Sequence, residues 1–401
     1  MHQISRSFSC ALPVLACVAT VAAGLLAGCG GGGGTSTGTA NVLLTDSPSC
    51  GYDHVYVTVD HVEISSDGSS WTSVPVSASL GRIDLLSLNN GTLISLGQTP
   101  LTAGTYQQVR LVLAANGNTA PYANSVVLTG SATEIALTTP SGQQSGYKIV
   151  GPFTITAGTM AGLVLDFNAC KSIVVAGASG KYLLKPVVSA VAELVAGKIT
   201  GTTVAGSHVY AEQQSTSGPV VVTGTVADAT TGAFTLWPLQ QSTVAGPVDV
   251  VIVPPPPSSG TAGYASYIVQ NVPVTAGATT NLGMMTTLAP SSVYTVSGAV
   301  TVAGSAGAAD LVAEQTVTSS GRTYEIASTS TTSGPYSIPL ASAGPWLGTY
   351  STTLPLVFAQ DMAGSDVGIY DVTATDAAGS SASHLVNVST GPTVVGFILS
   401  P

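Results

Sequence analysis

The sequence predicts an all-β protein built of tandem β-sandwich modules, and three observations predict it. Only 7% of the 401 residues are charged, against about 25% in ordinary soluble domains. Gly (46) and Pro (23) interrupt the chain at short intervals, which disfavours long helices and favours turns. Between the interruptions, runs rich in Val, Thr and Tyr alternate with period two, as strands with one buried face do. The net charge of -10, with only 9 Lys plus Arg, excludes a basic nucleic-acid binder.

Residues 1–28 read as a lipoprotein signal peptide. Arg6 is the only formal charge, and Phe8 to Leu26 is apolar or small. Leu26-Ala27-Gly28-Cys29 resembles a bacterial lipobox, which implies lipidation of Cys29 and attachment to a membrane through the N-terminal lipid. The alternatives are an ordinary signal peptide with a chance Cys, or a spanning anchor. The apolar stretch is short and ends in small residues, which argues against spanning. Residues 29–39 form a Gly/Ser/Thr tether. Gly30 after the lipobox Cys, rather than Asp, suggests outer-membrane delivery within the cell envelope. Cys50 and Cys170 remain after the leader, and two Cys in an exported chain suggest a disulfide. It would close a loop of roughly 120 residues and contribute about 4–5 kcal/mol in the chain-entropy model. Two independent thiols are the alternative.

Residues 40–190 form the first module. Asn41 to Thr45 opens as a strand that stops at Asp46-Ser47-Pro48. Val55, Val57 and Val59 share one face, and Val62 and Ile64 continue on the other parity, which places a β-bulge near Asp60-His61. Ser66 to Ser69 is a hairpin turn, and Trp71, Val74 and Val76 return. Ile83 to Leu88 fits a short helix or a strand, and Gly104 to Leu113 alternates as a central strand. Later strands are expected at 125–128, 134–137, 147–155, 162–167, 172–175 and 182–193. The segments Leu44-Thr45-Asp46, Asp84-Leu85-Leu86, Ala103 to Leu111, Leu165 to Ser172 and Leu184-Lys185-Pro186 together resemble the bacterial domain of unknown function 4382, found in envelope lipoproteins. That resemblance implies no catalytic residues.

Residues 191–289 and 290–401 repeat one another. Ala211-Glu212-Gln213-Gln214 matches Ala313-Glu314-Gln315, and Thr230-Thr231-Gly232-Ala233-Phe234 matches Thr331-Thr332-Ser333-Gly334-Pro335-Tyr336. The offset of roughly 100 residues is the size of one β-sandwich. The pattern is similar to carboxypeptidase regulatory-like, transthyretin-like sandwiches, which are often grouped with carbohydrate-binding-like folds.

No catalytic constellation emerges. There is no GxSxG elbow, HExxH helix or EF-hand loop. Ser145 to Lys148 fits SxxK without its companion boxes. Asp53-His54 with Asp60-His61-Glu63 is the best metal-like cluster, since a bulge could bring Asp60 and His61 to adjacent positions suited to a divalent cation, but a solvated strand face is the plainer reading. No metal and no cofactor are expected. Asp46, Asp228 and Asp249 look like turn and edge residues. Arg110 and Asp166, on strongly alternating strands, are structural ion-pair candidates. Tyr264 and Tyr267, just past Pro254 to Pro257, and Trp346 are the ligand-binding candidates, because sugar sites need accessible flat rings. Trp237 matches an aliphatic Ile338 in the repeat and reads as core or inter-module packing. With so few charges, sheet edges must be guarded by Pro, Gly, bulges or partners. The reading is a non-enzymatic, lipid-anchored envelope lipoprotein presenting binding or adhesion modules to an envelope protein or polysaccharide. A carbohydrate-binding surface protein is the alternative, and a hydrolase with an unrecognised site is weaker still.

Overall fold

A computed structural model describes residues 36–46, 52–140, 142, 145–176, 181–363 and 366–400. The signal peptide, Cys29 and Cys50 lie outside the described residues, and the proposed Cys50–Cys170 bond lies outside with them. The chain is nearly all β, in tandem sandwiches, as its period-two patterning requires. Among the described residues no helix is long and apolar enough to cross a membrane.

In the first segment, Thr37–Asp46 runs between Met160–Asn168, in parallel, and Ile94–Thr102, antiparallel. A second sheet places Gly104–Leu113 between Tyr147–Ile155 and Val59–Ser65. A third joins Tyr52–Val57, Ser125–Leu128 and Glu134–Thr138. The inward faces close over one core that includes Leu44, Val62, Leu111 and Phe167.

The expected long strand through Val55 and Ile64 is two strands. It breaks at Thr58, where the chain changes sheets. Asn124 Oδ1 accepts the Thr58 N–H at 3.3 Å, and the Thr58 hydroxyl donates to the Ala123 carbonyl. The parity change is real: the pairing with Gly104–Leu113 shifts register between Val59 and His61. Ile83–Asp84 is a short strand followed by a single 3-10 turn, Leu85–Ser87.

The repeat is visible in the backbone. His208–Ser215 pairs with Gly218–Val226, and Ala309–Val317 pairs with Arg322–Thr331. Each hairpin shifts register at the same Ala-Glu step, Ala211/Glu212 and Ala313/Glu314. Gly232 and Gly334, matched in the repeat, both hold positive φ (69° and 99°), where a side chain is strained.

Backbone pairing crosses residue 290 in both directions. Ala262–Tyr264 pairs with Pro290–Val302, the long strand of the third segment. Trp346–Thr349 adds in parallel to Tyr267–Val272 of the second. The cores follow suit. Leu356 joins the core around Phe234 and Val250, while Tyr210, Val251 and Ile268 join the core around Tyr324 and Tyr370. The first segment is tied in by Asn90, which accepts the Thr235 N–H through Oδ1 and donates its own N–H to Thr225 Oγ1.

Candidate functional site

The three segments meet around a cavity of about 550 Å³, within the size range of small-molecule sites. Its walls come from several strands of the second and third segments and the loops beside them. His208 and Tyr210 project from the same face of His208–Ser215, because alternate residues of a strand point the same way, and their rings stack at 6.3 Å. Val253 ends Val248–Val253, and Pro254 and Pro256 of the following loop form part of the wall. Ile326 to Thr329 and Ser337 to Ala341 supply the third segment's side, and Thr129 comes from the first.

Most of this lining is apolar. The polar groups are hydroxyls, among them Ser266, Ser328 and Thr329, with the His208 imidazole. Burial holds His208 below the usual imidazole value, so the ring is neutral at pH 7. A neutral ring both donates and accepts a hydrogen bond. Tyr264 lines the same space and is 40% exposed.

The three aromatic candidates separate. Tyr267 is core: it is 5% exposed, and its hydroxyl accepts the Ala289 N–H at 2.8 Å. Trp346 stacks on it at 5.9 Å with planes 7° apart, and Phe358 meets Tyr267 edge-on at 4.9 Å. These rings seal the seam made by the added Trp346–Thr349 strand. Tyr264 alone of the three lines the cavity.

Arg110 has an acidic partner, and it is Glu63 rather than Asp166. The two stand opposite each other on adjacent antiparallel strands, with Arg110 Nη1 3.4 Å from Glu63 Oε2. The guanidinium also lies over Trp71, 3.7 Å from the ring centre. Asp166 is buried in a different sheet, on Met160–Asn168.

The His residues of the bulge region part company as well. His54 pairs with Asp84 at 2.7 Å and His61 with Asp60 at 2.6 Å. Among the described residues no group of three or more His, Cys, Asp or Glu is placed to hold a metal ion.

Asp46 and Asp228 act as caps. Asp46 Oδ1 accepts the Ala169 N–H, while Asn168 Oδ1 accepts that of Lys171, so motif segments far apart in sequence close one structural knot. Asp228 Oδ1 accepts the Thr230 and Thr231 N–H groups.

Asp249 is neither turn nor edge. It is 4% exposed on a central strand, and Arg322 Nη1, the Tyr324 hydroxyl and the Asn271 N–H all donate to it. Next to it, Glu212 is fully buried, and its Oε2 accepts the Glu325 N–H. Lys171 reaches Glu325 from the first segment at 3.2 Å. Sequence reasoning missed this cluster. Its signals were a carboxylate inside the apolar run Val248-Asp249-Val250-Val251 and a Glu repeated at matched positions, Glu212 and Glu314.

Residues 37–186 match the family model described as a domain of unknown function, DUF4382. The caps at Asp46 and Asn168 and the Arg110–Glu63 pair all fall inside the matched residues. No curated protein matches the chain. Among solved structures, the chain is similar to the TIE protein of Bacillus anthracis. Identity is 11%, with 91% of this chain and 50% of that one covered and a TM-score of 0.18. This chain thus spans half the length of that protein. It is also similar to the major pilin SpaA of Corynebacterium diphtheriae, at 10% identity over 91% of this chain and 100% of that one, with a TM-score of 0.20. A streptococcal ancillary pilin is similar at 12% identity over 90% and 99%, with a TM-score of 0.16.

Proposed function

We propose that the chain is a non-enzymatic, lipid-anchored envelope lipoprotein whose fused β-sandwiches present a ligand-binding cavity outside the membrane. The lipobox-like Leu26-Ala27-Gly28-Cys29 supports the anchor. The cavity walled by His208, Val253, Ile326 and Leu340, with Tyr264 beside it, carries the binding role. Its largely apolar wall suits a ligand with an apolar body, held by one or two hydroxyl or imidazole contacts. The three-segment junction favours binding over adhesion through flat faces alone, since ligand sites concentrate where domains meet.

A carbohydrate ligand is the second reading, favoured by the accessible Tyr264 ring beside hydroxyl groups. One ring, with Tyr267 in the core and the partly buried Trp346 stacked on it, offers less stacking surface than a sugar platform needs.

The test is a binding screen of the full acylated chain against a glycan array and a panel of small amphipathic molecules. Saturable binding lost in Tyr264→Ala and in Leu340→Gln, with melting preserved in the former, supports the cavity. Hits confined to the glycan array favour the second reading. Saturable binding that survives both substitutions places the ligand elsewhere and overturns the cavity assignment.

A further inference from the structure

A second depression lies between the first and second segments, about 580 Å³ in volume, and it differs in character from the cavity above. It is a groove that carries its apolar groups outward. Leu194 is 86% exposed and Met160 is 59% exposed. Phe153 and the half-buried Trp237 also line it, and Lys198 Nζ stands 5.7 Å over the Trp237 ring. Single exposed apolar side chains are ordinary. Leu, Met, Trp and Lys around one groove form the set that side chains at a lipid–water interface use: apolar groups enter the acyl boundary, while Trp and Lys keep their polar ends at headgroup level.

The chain itself says what stands opposite this face. The strand Thr37–Asp46 starts here. The Thr39 N–H donates to the Thr159 carbonyl and the Gly158 N–H to the Thr37 carbonyl, so the loop that forms one groove wall also pins the first described strand. Cys29 precedes Ser36 by seven residues, six of them Gly or Thr. Fully extended, they reach at most about 25 Å. A lipid on Cys29 therefore keeps this face at a high effective concentration of bilayer.

We infer that the groove bearing Met160, Leu194, Lys198 and Trp237 docks on the surface of the bilayer that holds the lipid anchor. This rests on the lipoprotein reading above. Docking through this face fixes the orientation of the sandwiches on the membrane. Among the described residues the charged side chains lining the groove are Glu193 and Lys198, of opposite sign, so docking does not require an anionic surface.

The experiment uses the full acylated chain in vesicles of phosphatidylethanolamine and phosphatidylglycerol in equal parts, with or without brominated acyl chains. Bromine quenches tryptophan emission only from rings in the interface. The wild type is expected to be quenched, and Trp237→Phe to lose that quenching, leaving Trp71 and Trp346 unaffected. The double variant Met160→Ser/Leu194→Ser, which alters only exposed side chains, is expected to reduce quenching several-fold with flotation unchanged. Complete flotation without quenching, or quenching equal in Trp237→Phe and wild type, overturns the docking while the anchor stands. Failure to float, with no acyl mass on the Cys29 peptide, overturns the lipoprotein reading and the docking with it.

Discussion

Arg322 and Asp249, on strands from different segments, form an ion pair that joins the second and third sandwiches: one guanidinium nitrogen lies 2.9 and 2.8 Å from the two carboxylate oxygens. Asp249 is 5% exposed at its side chain and Arg322 32%. Arg322 Nη2 also donates to Asn271 Oδ1, and the Tyr324 hydroxyl donates to Asp249 Oδ2.

Removing the cation alone leaves a buried carboxylate without a counter-charge, which costs several kcal/mol at fully buried sites. Because Arg322 is a third exposed, Arg322→Met is expected to cost less, on the order of 2 kcal/mol. Adding Asp249→Asn to that variant is expected to restore part of the loss. Calorimetric melting of the two variants checks it. Equal melting losses in the single and double variants would show that charge pairing is not what the site contributes.

Glu212 gives the protein a pH dependence of stated sign. Burial, and then the neighbouring Glu325 carboxylate, push the Glu212 carboxyl well above its usual 4.5, with Lys171 opposing and Asp249 adding. Its Oε1 has no hydrogen-bond partner among the described residues. The folded chain holds a proton that the unfolded chain releases above about 4.5, so stability falls as pH rises through this window. Glu212→Gln mimics the protonated form. It is expected to raise the melting temperature at pH 8 and to leave it nearly unchanged at pH 4. Melting curves across pH 4–8 decide it, and an unchanged slope in the variant would remove Glu212 as the source.

Tyr264 and Tyr267, three residues apart, are expected to respond in opposite ways. Tyr267→Ala opens a hole beneath Trp346 and Phe358 and is expected to cost about 3–5 kcal/mol. Tyr264→Ala changes a half-exposed ring and is expected to stay within about 0.5 kcal/mol. Denaturant titrations of both variants test the contrast. Comparable losses would place Tyr264 in the core.

Gly232 holds φ of 69°, and a Cβ there would collide with the Thr203 carbonyl oxygen. Gly232→Ala is expected to cost about 1–3 kcal/mol through strain and displacement of that loop. Gly218→Ala has positive φ (117°) with open space around the added carbon, so strain is its main cost. A melting loss clearly larger in Gly232→Ala than in Gly218→Ala is the expected result, and equal losses would remove the steric component.

Local chemistry was legible in the sequence where it is self-contained. The parity change at Val59 to Val62 marked the bulge, Asp228 read as a turn or edge residue, and the Ala-Glu segments marked a repeat whose hairpin pairing the structure supplied. Arg110 was legible as half of a pair, but not its partner. Glu63 stands opposite it only because of the bulge register, and a slip of one residue would have turned Glu63 to the other face. Asp249 was misread for the same reason: a carboxylate in a strand is an edge residue unless another segment brings an arginine to it.

By itself, the sequence determined the all-β class, the hairpin turn at Ser66 to Ser69, the repeat between the second and third segments and the DUF4382-like segment. These depend on period, Gly and Pro placement and short-range hydrogen bonds, which act over a few residues. Tertiary structure alone decided that Trp346–Thr349 joins the second segment's sheet, that Tyr267 is core while Tyr264 borders a cavity, and that Glu212, Asp249, Arg322 and Lys171 meet. Those outcomes depend on strand exchange across residue 290 and on burial shared between segments. Contacts between residues a hundred positions apart leave no periodic mark on the sequence of either one.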